Sequence, residues 1–232
     1  MRRLYSSAGA LALVALMATP SASYAQQSLN VYFGGFVTPD AWSRDHDDVI
    51  RNNADFLAFD PSDFNGPTVG AEWLIGLNDF LDAGLGVGFT QQTVHSVYLD
   101  FVNSNGSEID QDMKLRTFPF TATVRLLPLG RHDAFTPYVG GGVGIIRWRY
   151  EESGEFVDFS DGSIFRDTFT ADGAATGPVI LGGARFPIGR VDVGGEVRWQ
   201  HAEGDLPNDL GFSGSKIDLG GFTYLVSFNI KF

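Results

Sequence analysis

The chain has 232 residues, 44% hydrophobic and 19% charged, with 29 glycines and no cysteine. Without cysteine there can be no disulfide, cysteine-ligated metal centre, thiol nucleophile or amino-terminal lipid anchor. With 28 acids against 16 bases the formal charge is -12, the wrong sign for sequence-independent binding to nucleic acid.

The amino terminus reads as an export signal. Arg2 and Arg3 make a cationic start, Ala8 to Ala18 form an apolar core, and Ser23-Tyr24-Ala25 sets small residues where a signal peptidase cuts. The core is shorter than the ~20 residues a membrane-spanning helix needs. Residues 1–25 are therefore expected to be removed, leaving one domain over 26–232. Their loss takes away two arginines and no acid.

Beyond that point the dominant signal is alternation, which gives a strand one apolar and one non-apolar face. Leu81, Ala83, Leu85, Val87 and Phe89 are apolar, and between them lie Asp82, Gly84, Gly86 and Gly88. Val191, Val193, Val197 and Trp199 alternate with Asp192, Gly194, Glu196 and Arg198. Phe222, Tyr224, Val226, Phe228, Ile230 and Phe232 alternate with more polar positions at the carboxyl end. The pattern predicts eight strands near 29–37, 68–77, 81–91, 113–126, 136–150, 174–186, 191–201 and 216–232. In the fifth the phase is ambiguous: Val139, Val143 and Ile145 compete with Tyr138, Ile146, Trp148 and Tyr150.

The predicted connections alternate between long and short. Long ones follow strands one, three, five and seven, and they are acidic: 38–67 hold seven acids and two arginines, 151–173 seven acids and one arginine. Residues 100–112 and 202–215 hold four and three acids and no base. A soluble sandwich has no reason to gather long loops at one end, whereas a transmembrane barrel does. The non-apolar face is largely glycine, and only three lysines are present to protect sheet edges. Closure into a barrel removes the edges and satisfies every backbone group in lipid. The reading is all-β: an eight-stranded antiparallel up-and-down transmembrane β-barrel with long outer loops and short periplasmic turns. Trp73, Trp148, Tyr150, Trp199, Tyr224 and Phe232 are expected at its interfaces.

The final strand, FTYLVSFNIKF, resembles the assembly signal of bacterial outer-membrane proteins, carried by Phe222, Tyr224, Val226, Phe228, Ile230 and Phe232. Pro137-Tyr138-Val139-Gly140-Gly141-Gly142-Val143-Gly144 resembles a strand of small outer-membrane barrels, and Phe118-Pro119-Phe120-Thr121 fits the same pattern. The chain thus resembles the small eight-stranded family that includes the OmpA membrane domain and OmpW-like proteins. This resemblance implies residence in a Gram-negative outer membrane, with the assembly machinery, lipid and lipopolysaccharide as partners and no cofactor. No further domain is expected after the last strand.

Candidate sites follow from that topology. Glu72, Arg125, Arg185, Glu196 and Arg198 fall on the lumen face, and buried charges there must pair, because an isolated one costs several kcal/mol. Lys114, Arg116, Arg147 and Arg149 lie near the outer rim, where they could meet lipopolysaccharide phosphates or pair with acidic loops. Arg44-Asp45-His46-Asp47-Asp48 lacks the spaced ligands of a calcium loop, so no metal is expected. Ser96, His201 and Glu203 could be imagined as a triad, but their strands are not neighbours in a meander. The His-x-Ser motif of the lipid A deacylases and the paired acids of the omptin proteases are both absent. Phe56, Leu57, Phe59 and Phe64, with Phe156, Phe159, Phe165 and Phe169, are expected to pack the loops together. The function expected is a non-enzymatic structural or surface-interaction barrel with a charge-plugged lumen. The alternative is an OmpW-like narrow channel for small hydrophobic solutes.

Overall fold

A computed structural model describes residues 26–207 and 209–232. The expected signal segment lies outside the described residues. Eight strands close into a barrel: β1 (Gln27–Val37), β2 (Gly66–Asn78), β3 (Leu81–Val102), β4 (Glu108–Leu126), β5 (Thr136–Val157), β6 (Ile164–Ile188), β7 (Val191–Gln200) and β10 (Gly221–Lys231). Each pairs antiparallel with its sequence neighbour, and β10 pairs with β1 to close the ring. A small hairpin, β8 (Glu203–Asp205) with β9 (Lys216–Asp218), stands in the connection between β7 and β10.

The strand count and order match the expectation; the lengths of the middle strands do not. β3 to β6 run far beyond the predicted 81–91, 113–126, 136–150 and 174–186, so the supposed long loops after β3 and β5 shrink to 103–107 and 158–163. The predicted strand 216–232 divides into β9 and β10. Only the connections 38–65 and 201–220 remain long, and β1, β2, β7 and β10 stop where they begin.

The extra length hid itself for a physical reason. In the lower part of each middle strand the outward residues are apolar and exposed: Leu85, Val87 and Phe89 on β3, Phe118, Phe120 and Val124 on β4, Val139, Val143 and Ile145 on β5, Ile180 on β6. In the upper part the same outward face turns polar on β4, β5 and β6, with Asp110, Asp112, Glu151 and Asp172, while β3 keeps Leu99 and Phe101 exposed, and the inward face becomes apolar and buried. Val94 and Tyr98, Ile109, Met113 and Leu115, Ile146, Trp148 and Tyr150, and Ala171 and Ala175 all point inward. The face directed inward never changes; the solvent outside does, from lipid to water. This inversion resolves the fifth strand, whose two competing apolar sets belong to two heights of one strand. It also corrects the expected aromatic girdle. Trp148 and Tyr150 are core residues, 4% and 0% exposed, whereas Trp73, Tyr224 and Phe232 lie on the outer surface.

Candidate functional site

The lumen of the lower barrel is filled by charge. Arg125, fully buried, donates from Nη2 to Glu72 Oε2 and, at 2.8 Å, to Glu196 Oε2. Arg198 Nη2 lies 2.7 Å from Glu196 Oε1 and 3.6 Å from Glu72 Oε2. Thr123 donates its hydroxyl to Glu72 at 3.1 Å, and Tyr138 donates to Glu196 at 3.0 Å. Two arginines thus face two glutamates in a neutral cluster. Arg125 and Arg185 also cover the Tyr138 ring, their guanidinium carbons 5.0 and 4.7 Å from its centroid.

The glycine phase of the strands makes this possible. A Cβ at Gly183 would stand 2.6 Å from the Tyr138 hydroxyl, and one at Gly70 2.4 Å from the Tyr32 ring. An eight-stranded lumen holds only side chains, so large inward groups require neighbours with none.

Four of the five expected lumen charges meet at this one cluster. Arg185 instead pairs with Asp82 at 3.2 Å, and Asp82 also takes Arg131 at 2.8 Å from the turn between β4 and β5. Asp192 and Lys231 form a further pair at 2.7 Å. Asp82 was visible as the charged position in the glycine phase of β3. Tyr32 and Tyr138 were not, because an inward tyrosine counts as apolar by sequence.

Above the charge cluster the interior holds different material. The connection 38–65 folds inward, and Val49, Ile50, Leu57 and Phe64 are buried against the apolar upper walls of β3 to β6 and against Leu206, Ile217 and Leu219. Asp48 holds this connection in place. It pairs with Arg44 at 3.0 Å, accepts from Arg51 N to cap the short helix Val49–Asn53, and accepts from Asp218 N at 2.6 Å. The Arg44–Asp48 run is therefore a structural clamp, and no group of three metal-ligating side chains occurs among the described residues. The loop also adds backbone bonds to β3, Ala58 N to Val97 O at 2.9 Å and Leu99 N to Phe56 O at 3.0 Å. Phe56 packs on Tyr98 and Phe159, and Phe156 on Phe165 and Phe169.

Glu152, at this upper level, was not singled out from the sequence. It is 4% exposed and has no cationic partner among the described residues. Asn53 donates to it at 2.6 Å, Tyr150 at 2.8 Å and Gln111 at 3.3 Å. Desolvation raises its carboxyl above the ordinary value, outweighing the hydrogen bonds from Asn53 and Tyr150.

Among the remaining candidates, Lys114, Arg116, Arg147 and Arg149 share the outward face where β4 and β5 pass from apolar to polar. Ser96 is buried on β3, which borders only β2 and β4, and no hydrogen bond joins it to His201.

No protein-family model matches the chain, and no curated protein does. Solved structures do match. The outer membrane protein OprG from Pseudomonas aeruginosa aligns over 90% of this chain and 96% of its own, with TM-score 0.55 and 15% identity. Neisserial surface protein A aligns over 89% and 97% at TM-score 0.47 and 12% identity. The fold is that of the small eight-stranded outer-membrane barrels. The N-terminal β-barrel domain of Pseudomonas aeruginosa OprF aligns as well, at TM-score 0.45 and 10% identity. A closed barrel with such an exposed apolar belt has the outer surface of a wall that stands in lipid.

Proposed function

We propose that the chain is exported by residues 1–25, inserted by the outer-membrane assembly machinery through the strand ending at Phe232, and serves as a non-enzymatic barrel with a structural or surface-interaction role. The observation that supports this reading is that side chains occupy the interior at two heights: the ion-paired Glu72, Arg125, Glu196 and Arg198 below, and the buried Val49, Ile50, Leu57 and Phe64 above. What remains outside is an acidic crown. Asp100, Glu108, Asp110, Glu155, Asp158, Asp161 and Asp167 lie on the upper ends of the two tall hairpins, which also carry the exposed Leu99, Val102 and Phe159. That combination suits contact at the cell surface better than passage through the wall.

Conductance of refolded 26–232 in planar bilayers tests the reading. The wild type, Glu196→Ala, and a variant with 45–57 replaced by glycine and serine should each be silent, because either block alone closes the path. The combined variant should conduct. Steady conductance of the wild type, or its passage of small uncharged hydrophobic solutes into vesicles, would overturn the closed barrel and favour a narrow channel. The apolar inner wall of upper β3 to β6 is what would serve such solutes if the 38–65 connection moved aside.

A further inference from the structure

The chain is strongly acidic, and most of its described arginines have acceptors: Arg44 has Asp48, Arg131 and Arg185 have Asp82, and Arg125 and Arg198 have Glu72 and Glu196. The outward patch on β4 and β5 breaks this rule. Arg116 and Arg149 are directly opposed in the antiparallel register, and Arg147 stands opposite Phe118 one step nearer the apolar belt. Like charges in opposed positions destabilise a strand pair. Local compensation is thin. Arg116 donates only to the neutral Gln91, at 2.8 Å. Arg149 lies 4.0 Å from Glu151, which is itself opposite Lys114, and is opposed on β6 by Asp172. Arg147 has no ion pair among the described residues. Four cations face Glu151 and Asp172, and the next carboxylate on this face, Asp112, is paired with His95, so cations outnumber acids here on a chain of -12.

Its height is as informative as its charge. Phe89, Phe118 and Ile145, directly below, are exposed and apolar, while Ile146, Trp148 and Tyr150 on the same strand are turned inward. The patch therefore sits where the outer surface passes from lipid-facing to water-facing, the level of headgroups. Guanidinium pairs take phosphate oxygens through bidentate bonds, and basic groups at membrane depth bind anionic headgroups.

We propose that Arg116 and Arg149 form a phosphate clamp, flanked by Lys114 and Arg147, for a phosphorylated glycolipid of the outer leaflet whose acyl chains lie along Phe118 and Phe120. The clamp rests on the outer-membrane reading but is independent of whether the lumen is closed. The bound dianion relieves the Arg116–Arg149 repulsion, so this wall of the barrel is completed by its lipid.

Native mass spectrometry of refolded 26–232 tests this against three probes: bis-phosphorylated lipid A, the same acylated glycolipid without phosphates, and inorganic phosphate. The wild type should retain the bis-phosphorylated form at least tenfold better than the dephosphorylated one. Arg116→Gln with Arg149→Gln should lose that preference, whereas Arg166→Gln, near the crown, should keep it. Heat-modifiable migration of each sample shows that the barrel is folded, so loss of binding is separable from loss of the fold. Equal retention by the double variant, or equal retention of the dephosphorylated lipid, overturns the clamp. Displacement of the lipid by millimolar inorganic phosphate overturns the glycolipid as its occupant.

Discussion

The two halves of this barrel fill their interior with opposite chemistry. Below the inversion the outside is apolar and the inside is charged, with Arg125 and Arg198 facing Glu72 and Glu196. Above it the outside is polar on β4 to β6, and the inside is an ordinary hydrophobic core that β3 to β6 share with Ile50, Leu57 and Phe64. The lesson is that the driving force follows the exterior medium. Where lipid surrounds the wall, burying apolar groups inside gains nothing, and the lumen is held by ion pairs and hydrogen bonds that are strong away from water. Where water surrounds it, apolar burial again stabilises. The upper half behaves as a soluble domain grown on a membrane one.

This difference can be broken at either level. The largest effect is expected from Arg125→Met, which leaves Glu72 and Glu196 facing each other with only Arg198 between them. Loss of one partner from a buried ion network costs about 3–5 kcal/mol, and denaturant unfolding of the refolded barrel should report it. Adding Glu196→Gln restores neutrality and should recover part of that loss; no recovery would mean that the cluster is not coupled.

Ile50→Ala removes a fully buried side chain from the upper core. Large-to-small changes of this type cost about 2–5 kcal/mol, here confined to the docked connection. Amide exchange over 49–57 should therefore accelerate while the unfolding midpoint of the lower barrel stays put. A matching drop in that midpoint would show that the two halves unfold as one.

The smallest expected effect is a dependence on pH at Glu152. Its carboxyl titrates above the ordinary value because burial disfavours the anion. The stability linked to that group is then fully present below the unfolded value and is lost as pH rises through the folded one. Exchange at Asn53 and its neighbours, corrected for intrinsic rates, should quicken with rising pH in the wild type and be flat in Glu152→Gln. A slowing in the wild type would reverse the assigned sign.

Much of the lower barrel was legible from residues alone. Period-two alternation in β7 and β10, and the glycine phase of β3, located lipid-facing and lumen-facing positions, and four of five charges assigned to the lumen share one cluster. The expectation failed where two periodicities met. Residues 100–112 and 151–173 read as acidic loops, yet most of them form strands. Their acids, such as Asp110, Asp112 and Asp172, sit on the outer face of a wall bathed in water, while Ile109, Met113 and Tyr150 face in.

Composition and alternation by themselves determined the all-β class, the eight strands, the acidic end and the residue types available to fill the lumen. These properties are local: each strand carries its own two faces. The closure was decided only by tertiary structure. It brought Asp48 to Asp218, Asn53 to Glu152, and Arg116 opposite Arg149. Those contacts join segments whose separation in the chain carries no periodic signal, and their register exists only once the neighbouring strands have paired.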